Sequence, residues 1–159
     1  MAEAMEDITR TLQDEEATVA LAIALARLSQ VGDVIYLKGT LGMGKSTFAR
    51  AFIRHLAKNS NLEVPSPTFT LVQSYLDLPL PVWHLDLYRL ENPEEVEELG
   101  LDEALSTAVS LIEWPERLGT ITFPNTVILT LESGKTADQR QVHLSGDASW
   151  KDRLKRLAP

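Results

Sequence analysis

The chain has no cysteine, few aromatic residues and a shortage of base: 15 Lys and Arg stand against 23 Asp and Glu, a formal net charge of −8. Without cysteine there is no disulfide framework, no thiolate metal site and no thiol redox chemistry, a composition that suits a reducing cytosol. Long apolar runs are missing too. No stretch approaches the roughly 20 apolar residues that span a bilayer, and Glu3, Glu6 and Asp7 precede any apolar run, unlike a secretory signal. A cytoplasmic protein without membrane contact is therefore expected. The shortage of base is sharpest in residues 90–116, where nine acids (Glu91, Glu94, Glu95, Glu97, Glu98, Asp102, Glu103, Glu113, Glu116) stand with no Lys or Arg. Tight direct binding to DNA or RNA needs clustered cations, so this segment disfavours it and suits a protein partner better. The bases that exist gather at Lys45, Arg50, Arg54 and Lys58 and in the tail at Lys151, Arg153, Lys155 and Arg156, and most read as solvated helix faces.

What is present is the composition of one globular domain, residues 1–159, with 44% hydrophobic and 24% charged residues. Gly39-Thr40-Leu41-Gly42-Met43-Gly44-Lys45-Ser46 fits the phosphate-loop pattern G-x-x-x-x-G-K-[ST] at every fixed position. Its glycines let successive backbone N–H groups face one anion, Lys45 can reach the outer phosphates, and the Ser46 hydroxyl can ligate Mg²⁺. The flanks agree with that reading. Val34-Ile35-Tyr36-Leu37 is a short β-prone run, while Phe48, Ala49, Phe52, Ile53 and Leu56 recur at helical spacing.

Around the loop, acids at Asp14, Glu15 and Glu16 open an amphipathic helix carrying Ala17, Leu21, Leu25 and Leu28. Residues 69–75 and 82–88 predict an antiparallel hairpin across a turn with two prolines. Pro93 opens an acidic helix over 94–99, Gly100 ends it, and a short helix follows at 102–105. Residues 109–112, 127–131 and 141–145 read as strands and 149–157 as a terminal helix. Strands interleaved with helices imply a three-layer α/β phosphate-loop domain: a mostly parallel central sheet with an antiparallel hairpin, helices on both faces, and a ligand at the carboxyl ends of the strands.

A phosphate loop binds nucleotide, but hydrolysis also needs carboxylates to fix Mg²⁺ and place water. Asp86, in Trp83-His84-Leu85-Asp86-Leu87-Tyr88-Arg89, and Glu113, directly after Val109-Ser110-Leu111-Ile112, both end apolar strands. Thr68 lies in the connection between the loop helix and the next strand, where a hydroxyl can respond to a γ-phosphate, and Pro65 and Pro67 limit the conformations of that connection. His84 reads as a structural or orienting histidine. Trp114 can stack on a base or partner, or fill a rim or core position.

Taken together, G-T-L-G-M-G-K-S-T at Gly39 to Thr47, S-P-T-F-T-L-V at Ser66 to Val72, H-L-D-L-Y-R-L at His84 to Leu90, P-E-E-x-E-x-x-G at Pro93 to Gly100 and I-E-W-P at Ile112 to Pro115 resemble the TsaE family. These are small bacterial ATPases of the tRNA threonylcarbamoyladenosine pathway. The first motif is common to many NTPases; the order and spacing of all five are particular to this family. Thr40 stands where the family usually has Asp, and Met43 where it usually has Ala. The resemblance implies ATP hydrolysis that supports a TsaB–TsaD type transferase complex, with tRNA met only through that complex. It further implies a nucleotide cradle of Leu41, Gly42, Met43, Gly44, Lys45, Ser46 and Thr47. Ser46 and Glu113 would hold Mg²⁺, Lys45, Asp86, Glu113 and Thr68 would do the chemistry, and Asp14 would lie near the nucleoside. Rival readings are a small P-loop kinase, which would bring lid arginines that residues 90–116 lack, and a GTPase switch, which would need an N-K-x-D motif that does not occur. A nucleotide-dependent binding module without significant turnover is the third.

Overall fold

A computed structural model describes residues 6–157. Seven strands form one sheet: β1 (Glu6–Leu12), β2 (Val34–Lys38), β3 (Val72–Tyr75), β4 (Val82–Asp86), β5 (Val109–Glu113), β6 (Thr126–Ser133) and β7 (Arg140–Gly146), in the spatial order β1-β7-β6-β2-β5-β4-β3. The inner four, β6, β2, β5 and β4, run parallel, and the strands outside them attach antiparallel. Parallel strands are covered on both faces, which is why β5 is buried at every residue. Among the described residues four α-helices accompany the sheet: α1 (Glu15–Leu28), α2 (Lys45–Ala57), α3 (Leu101–Thr107) and α4 (Lys151–Leu157). Helices α1, α2 and α4 cover one face through Leu21, Leu25, Phe48, Phe52 and Leu154. Helix α3 and two 3₁₀ segments cover the other through Val96, Leu101, Ala104 and Leu118. Among the described residues no helix is long and apolar enough to cross a membrane.

Local chemistry explains the helix limits. Asp14 caps α1, its carboxylate accepting the Ala17 N–H at 2.9 Å, and Glu15 and Glu16 sit in the favourable first turn. In α2, Phe48, Ala49, Phe52 and Ile53 are fully buried on one stripe, and each large side chain there contributes about 2–3 kcal/mol by leaving water. Lys58 ends α2 in the left-handed region, and its N–H returns to the Arg54 and His55 carbonyls.

Four expectations are corrected. Residues 6–12, given no element from sequence, form β1, which closes the edge beside β7. The strand expected from residue 69 begins only at Val72, because Leu71 adopts φ 68° and its N–H closes a turn on the Pro67 carbonyl at 2.7 Å. The acidic segment Pro93–Leu99 is 3₁₀ rather than α-helix: Glu94, Glu95, Glu97 and Glu98 repel one another at helical spacing and only Val96 among its residues is fully buried. Arg153 is not solvated. Its guanidinium forks onto Asp33 at 2.6 and 3.0 Å and lies 3.8 Å from the Trp150 ring centroid, anchoring α4 to the start of β2.

Candidate functional site

The sheet order brings three strand ends together. Strand β5 lies between β2 and β4, and the register sets Glu113 opposite both Leu37 and Asp86. The loop of residues 39–46 leaves β2 at this same level, so loop, Glu113 and Asp86 share the carboxyl edge where open α/β sheets bind ligands. The chain can turn there only through glycine. Gly39 has φ 145°, and a Cβ at that position would lie 2.7 Å from the Leu131 carbonyl oxygen. Gly44, at φ 107°, starts α2 with no side chain capping its first turn, so the initial N–H groups of the helix stay available to an anion.

Lys45 is buried beneath the loop, its Nζ donating to the Gly39 carbonyl at 2.7 Å and sitting 3.8 Å from the Trp114 ring centroid. Burial pulls its ammonium below the usual lysine range, and the carboxylates of Glu113, Asp86 and Glu116 oppose that shift. Trp114 itself takes φ 57°, a left-handed turn directly after Glu113 that aims its ring at Lys45 and against Tyr88, centroids 5.0 Å apart. Trp114 lines the cleft and packs against the buried cluster of the α3 side.

The acids are held by separate partners. Glu113 is buried, and its Oε2 meets His84 Nε2 at 2.7 Å. A carboxylate can only accept, so Nε2 carries the proton of this bond, while His84 Nδ1 has no partner among the described atoms. His84 thus fixes the position of Glu113, a pairing across two strands that its local sequence does not show. Asp86 Oδ2 accepts the Thr68 hydroxyl at 3.0 Å and Oδ1 accepts the Tyr88 N–H at 3.0 Å, while Ser66 Oγ lies 2.7 Å from Thr68 Oγ1. The segment around Thr68 therefore rests on the strand-end acid.

These groups line one cleft of about 920 Å³. Asp14, residues 41–47, Thr68, Asp86 and Glu113 all border it, so the residues expected to meet nucleotide or metal face one space, while His84 stands behind Glu113 outside the lining. Sequence reasoning missed Asp138 and Arg140, which border the same cleft from the β6–β7 connection and the start of β7. No local motif marks either one. Among the described residues no trio of Asp, Glu or His is gathered closely enough to hold a metal by itself.

A family model described as threonylcarbamoyl adenosine biosynthesis protein TsaE matches residues 12–142. The chain belongs to the TsaE family. Relatives named tRNA threonylcarbamoyladenosine biosynthesis protein TsaE include one from Rickettsia felis, 41% identical over 121 residues that make up 76% of this chain and 70% of that protein. Another, from Bacillus subtilis, is 44% identical over 106 residues, 66% of this chain and 64% of the relative. The crystal structure of Bacillus subtilis YdiB matches with a TM-score of 0.74 at 27% identity, covering 98% of this chain and 96% of that one. The role of the TsaE family lies in the biosynthesis of threonylcarbamoyladenosine in tRNA. The TsaE match stops before α4, whereas the likeness to YdiB reaches the tail.

Proposed function

We propose that this TsaE-family chain binds ATP with Mg²⁺ in the cleft, hydrolyses it slowly, and uses its nucleotide state to govern docking on a TsaB–TsaD type transferase complex. The observation that carries the proposal is the convergence of an uncapped glycine-rich loop, a buried lysine and two strand-end carboxylates on a single cleft. In this reading the backbone N–H groups of residues 41–46 receive the β- and γ-phosphates. Lys45 exchanges the Gly39 carbonyl for a phosphate oxygen. Asp86, already accepting the Thr68 hydroxyl, holds that hydroxyl beside the γ-phosphate and orients the attacking water.

Ser46, exposed at the start of α2, and Glu113, fixed by His84, offer the hard oxygen donors that Mg²⁺ prefers. Among the described residues no cluster of acids or histidines encloses an ion, so phosphate oxygens would have to supply the remaining ligands. Held by Ser46 and Glu113, such an ion would neutralise negative charge that builds up on the phosphates during transfer. Asp14, at the mouth beside α1, would face the nucleoside end. The acidic surface of residues 90–116 supports a protein partner, with tRNA reached through the transferase. A kinase reading is less well supported, since residues 90–116 supply no lid arginine.

The test is Lys45→Ala in cells that depend on this chain. Threonylcarbamoyladenosine in bulk tRNA should disappear while the variant stays folded and abundant; undiminished modification would sink the proposal.

A further inference from the structure

A side chain from a distant strand grips the backbone of the glycine-rich loop. Arg140 opens β7, paired across the sheet with Leu12 of β1 and Ser133 of β6. Its Nε donates to the Met43 carbonyl at 3.3 Å and its Nη2 to the Gly42 carbonyl at 3.2 Å. Nη1 donates to the Ala137 and Gln139 carbonyls at 2.7 and 3.0 Å, which fixes the plane of the fork. Among the described residues no carboxylate forms an ion pair with it. Nearly all its donors are therefore spent on backbone carbonyls, two of them in a loop about a hundred residues earlier in the chain.

The consequence follows from how such loops hold anions. Successive N–H groups converge on one point only if the intervening carbonyls turn away from it, and those carbonyls then need a donor elsewhere. Gly42, at φ 82°, and Gly44, at φ 107°, give the loop freedom to take that shape and equal freedom to leave it. A planar, charged fork anchored on a sheet strand restricts that freedom.

We propose that Arg140 is a positioning residue that presets the 39–46 loop for phosphate by holding the Gly42 and Met43 carbonyls toward β7. The inference rests on the reading of the cleft as a nucleotide site and adds to it a residue outside the shared motifs. Because the grip orders the loop before ligand arrives, its loss raises the cost of binding and leaves the reacting groups in place.

Three proteins test it: wild type, Arg140→Met, which keeps the apolar stem, and Arg140→Lys, which keeps the charge but reaches only one carbonyl. Calorimetric titration with Mg-ATP gives Kd, phosphate release gives kcat and KM, and far-ultraviolet circular dichroism checks the fold. In Arg140→Met, Kd and KM should rise about tenfold or more, while kcat stays within about twofold. Arg140→Lys should fall between. Tight Mg-ATP binding by wild type with an unchanged Kd in Arg140→Met overturns the inference and leaves the nucleotide site standing. No Mg-ATP binding by wild type overturns the site reading, and this inference with it. A lowered kcat at constant KM contradicts a positioning role. If Arg140→Met does not fold, Arg140→Lys decides, and a wild-type Kd in that variant overturns the inference.

Discussion

Replacing Arg153 by Met should cost about 3–5 kcal/mol of folding stability. The figure follows from burial. Asp33 is 3% and Arg153 8% exposed, their two hydrogen bonds are 2.6 and 3.0 Å long, and a third donor, the Gln30 N–H, reaches Asp33 at 2.6 Å. Met matches the arginine stem in bulk but loses the guanidinium over Trp150, and the larger effect is to strand a carboxylate in a dry site with one remaining donor. Against a typical total of about 5–15 kcal/mol, that loss removes about a fifth or more of the stability. At about 2–4 °C per kcal/mol for a chain of this length, the melting temperature should drop by about 6–20 °C. Urea unfolding is the assay, with the midpoint falling and the slope unchanged. Adding Asp33→Asn should recover most of the loss, since the uncompensated charge is then gone. Asp33 precedes β2 and the loop follows it, and five strand residues at about 3.3 Å each separate them by about 16 Å. Mg-ATP affinity measured well below the transition should therefore be unaffected. A loss under about 1 kcal/mol, the range of exposed ion pairs, would refute the reasoning and restore the solvated tail expected from sequence.

Glu113→Gln keeps the shape and can still accept from His84, yet it removes the charge that would hold Mg²⁺. Phosphate release should fall about 100-fold while Mg-free nucleotide binding changes little; equal turnover would remove Glu113 from the site. Alkaline pH should weaken Mg-ATP binding early. The Lys45 ammonium sits below its ordinary value of 10.5 chiefly because it is buried, so the folded apo protein disfavours the charged form. Stability of the apo protein therefore rises as pH climbs through the lowered folded value toward 10.5, while phosphate affinity falls over the same window as the charge is lost. Titrations from neutral pH upward should show this fall, and a Kd flat to beyond about pH 10.5 would contradict it.

Much of this was legible in sequence because it is local. The glycine-lysine-serine loop, the helical recurrence of Phe48, Phe52 and Ile53, and carboxylates at the ends of apolar strands are each set by neighbours a few residues away. Their meeting depends on strand order, which the α/β alternation constrained. Strand β1 was passed over although Ile8, Arg10 and Leu12 alternate with Asp7, Thr9 and Thr11. A single edge strand at an acidic start carries little periodic signal, and its partner β7 lies at the far end of the chain. The same distance hid Arg140 and Arg153. An arginine that pairs with carbonyls or with an acid about a hundred residues or more away reads, in sequence, like any solvated base. Phe69 shows the opposite error: an aromatic at a strand-like position is 80% exposed, under the Arg89 guanidinium, because the left-handed Leu71 delays the strand.

The central claim is that the cleft turns over Mg-ATP and that this nucleotide state controls engagement of the transferase. Its most direct test is phosphate release by the purified chain, alone and with a TsaB–TsaD complex, scored beside co-purification of the complex with and without Mg-ATP. The account predicts slow release by wild type, none above background by Lys45→Ala, and capture of the complex that depends on nucleotide. Release by Lys45→Ala equal to wild type, or capture indifferent to nucleotide, would contradict it.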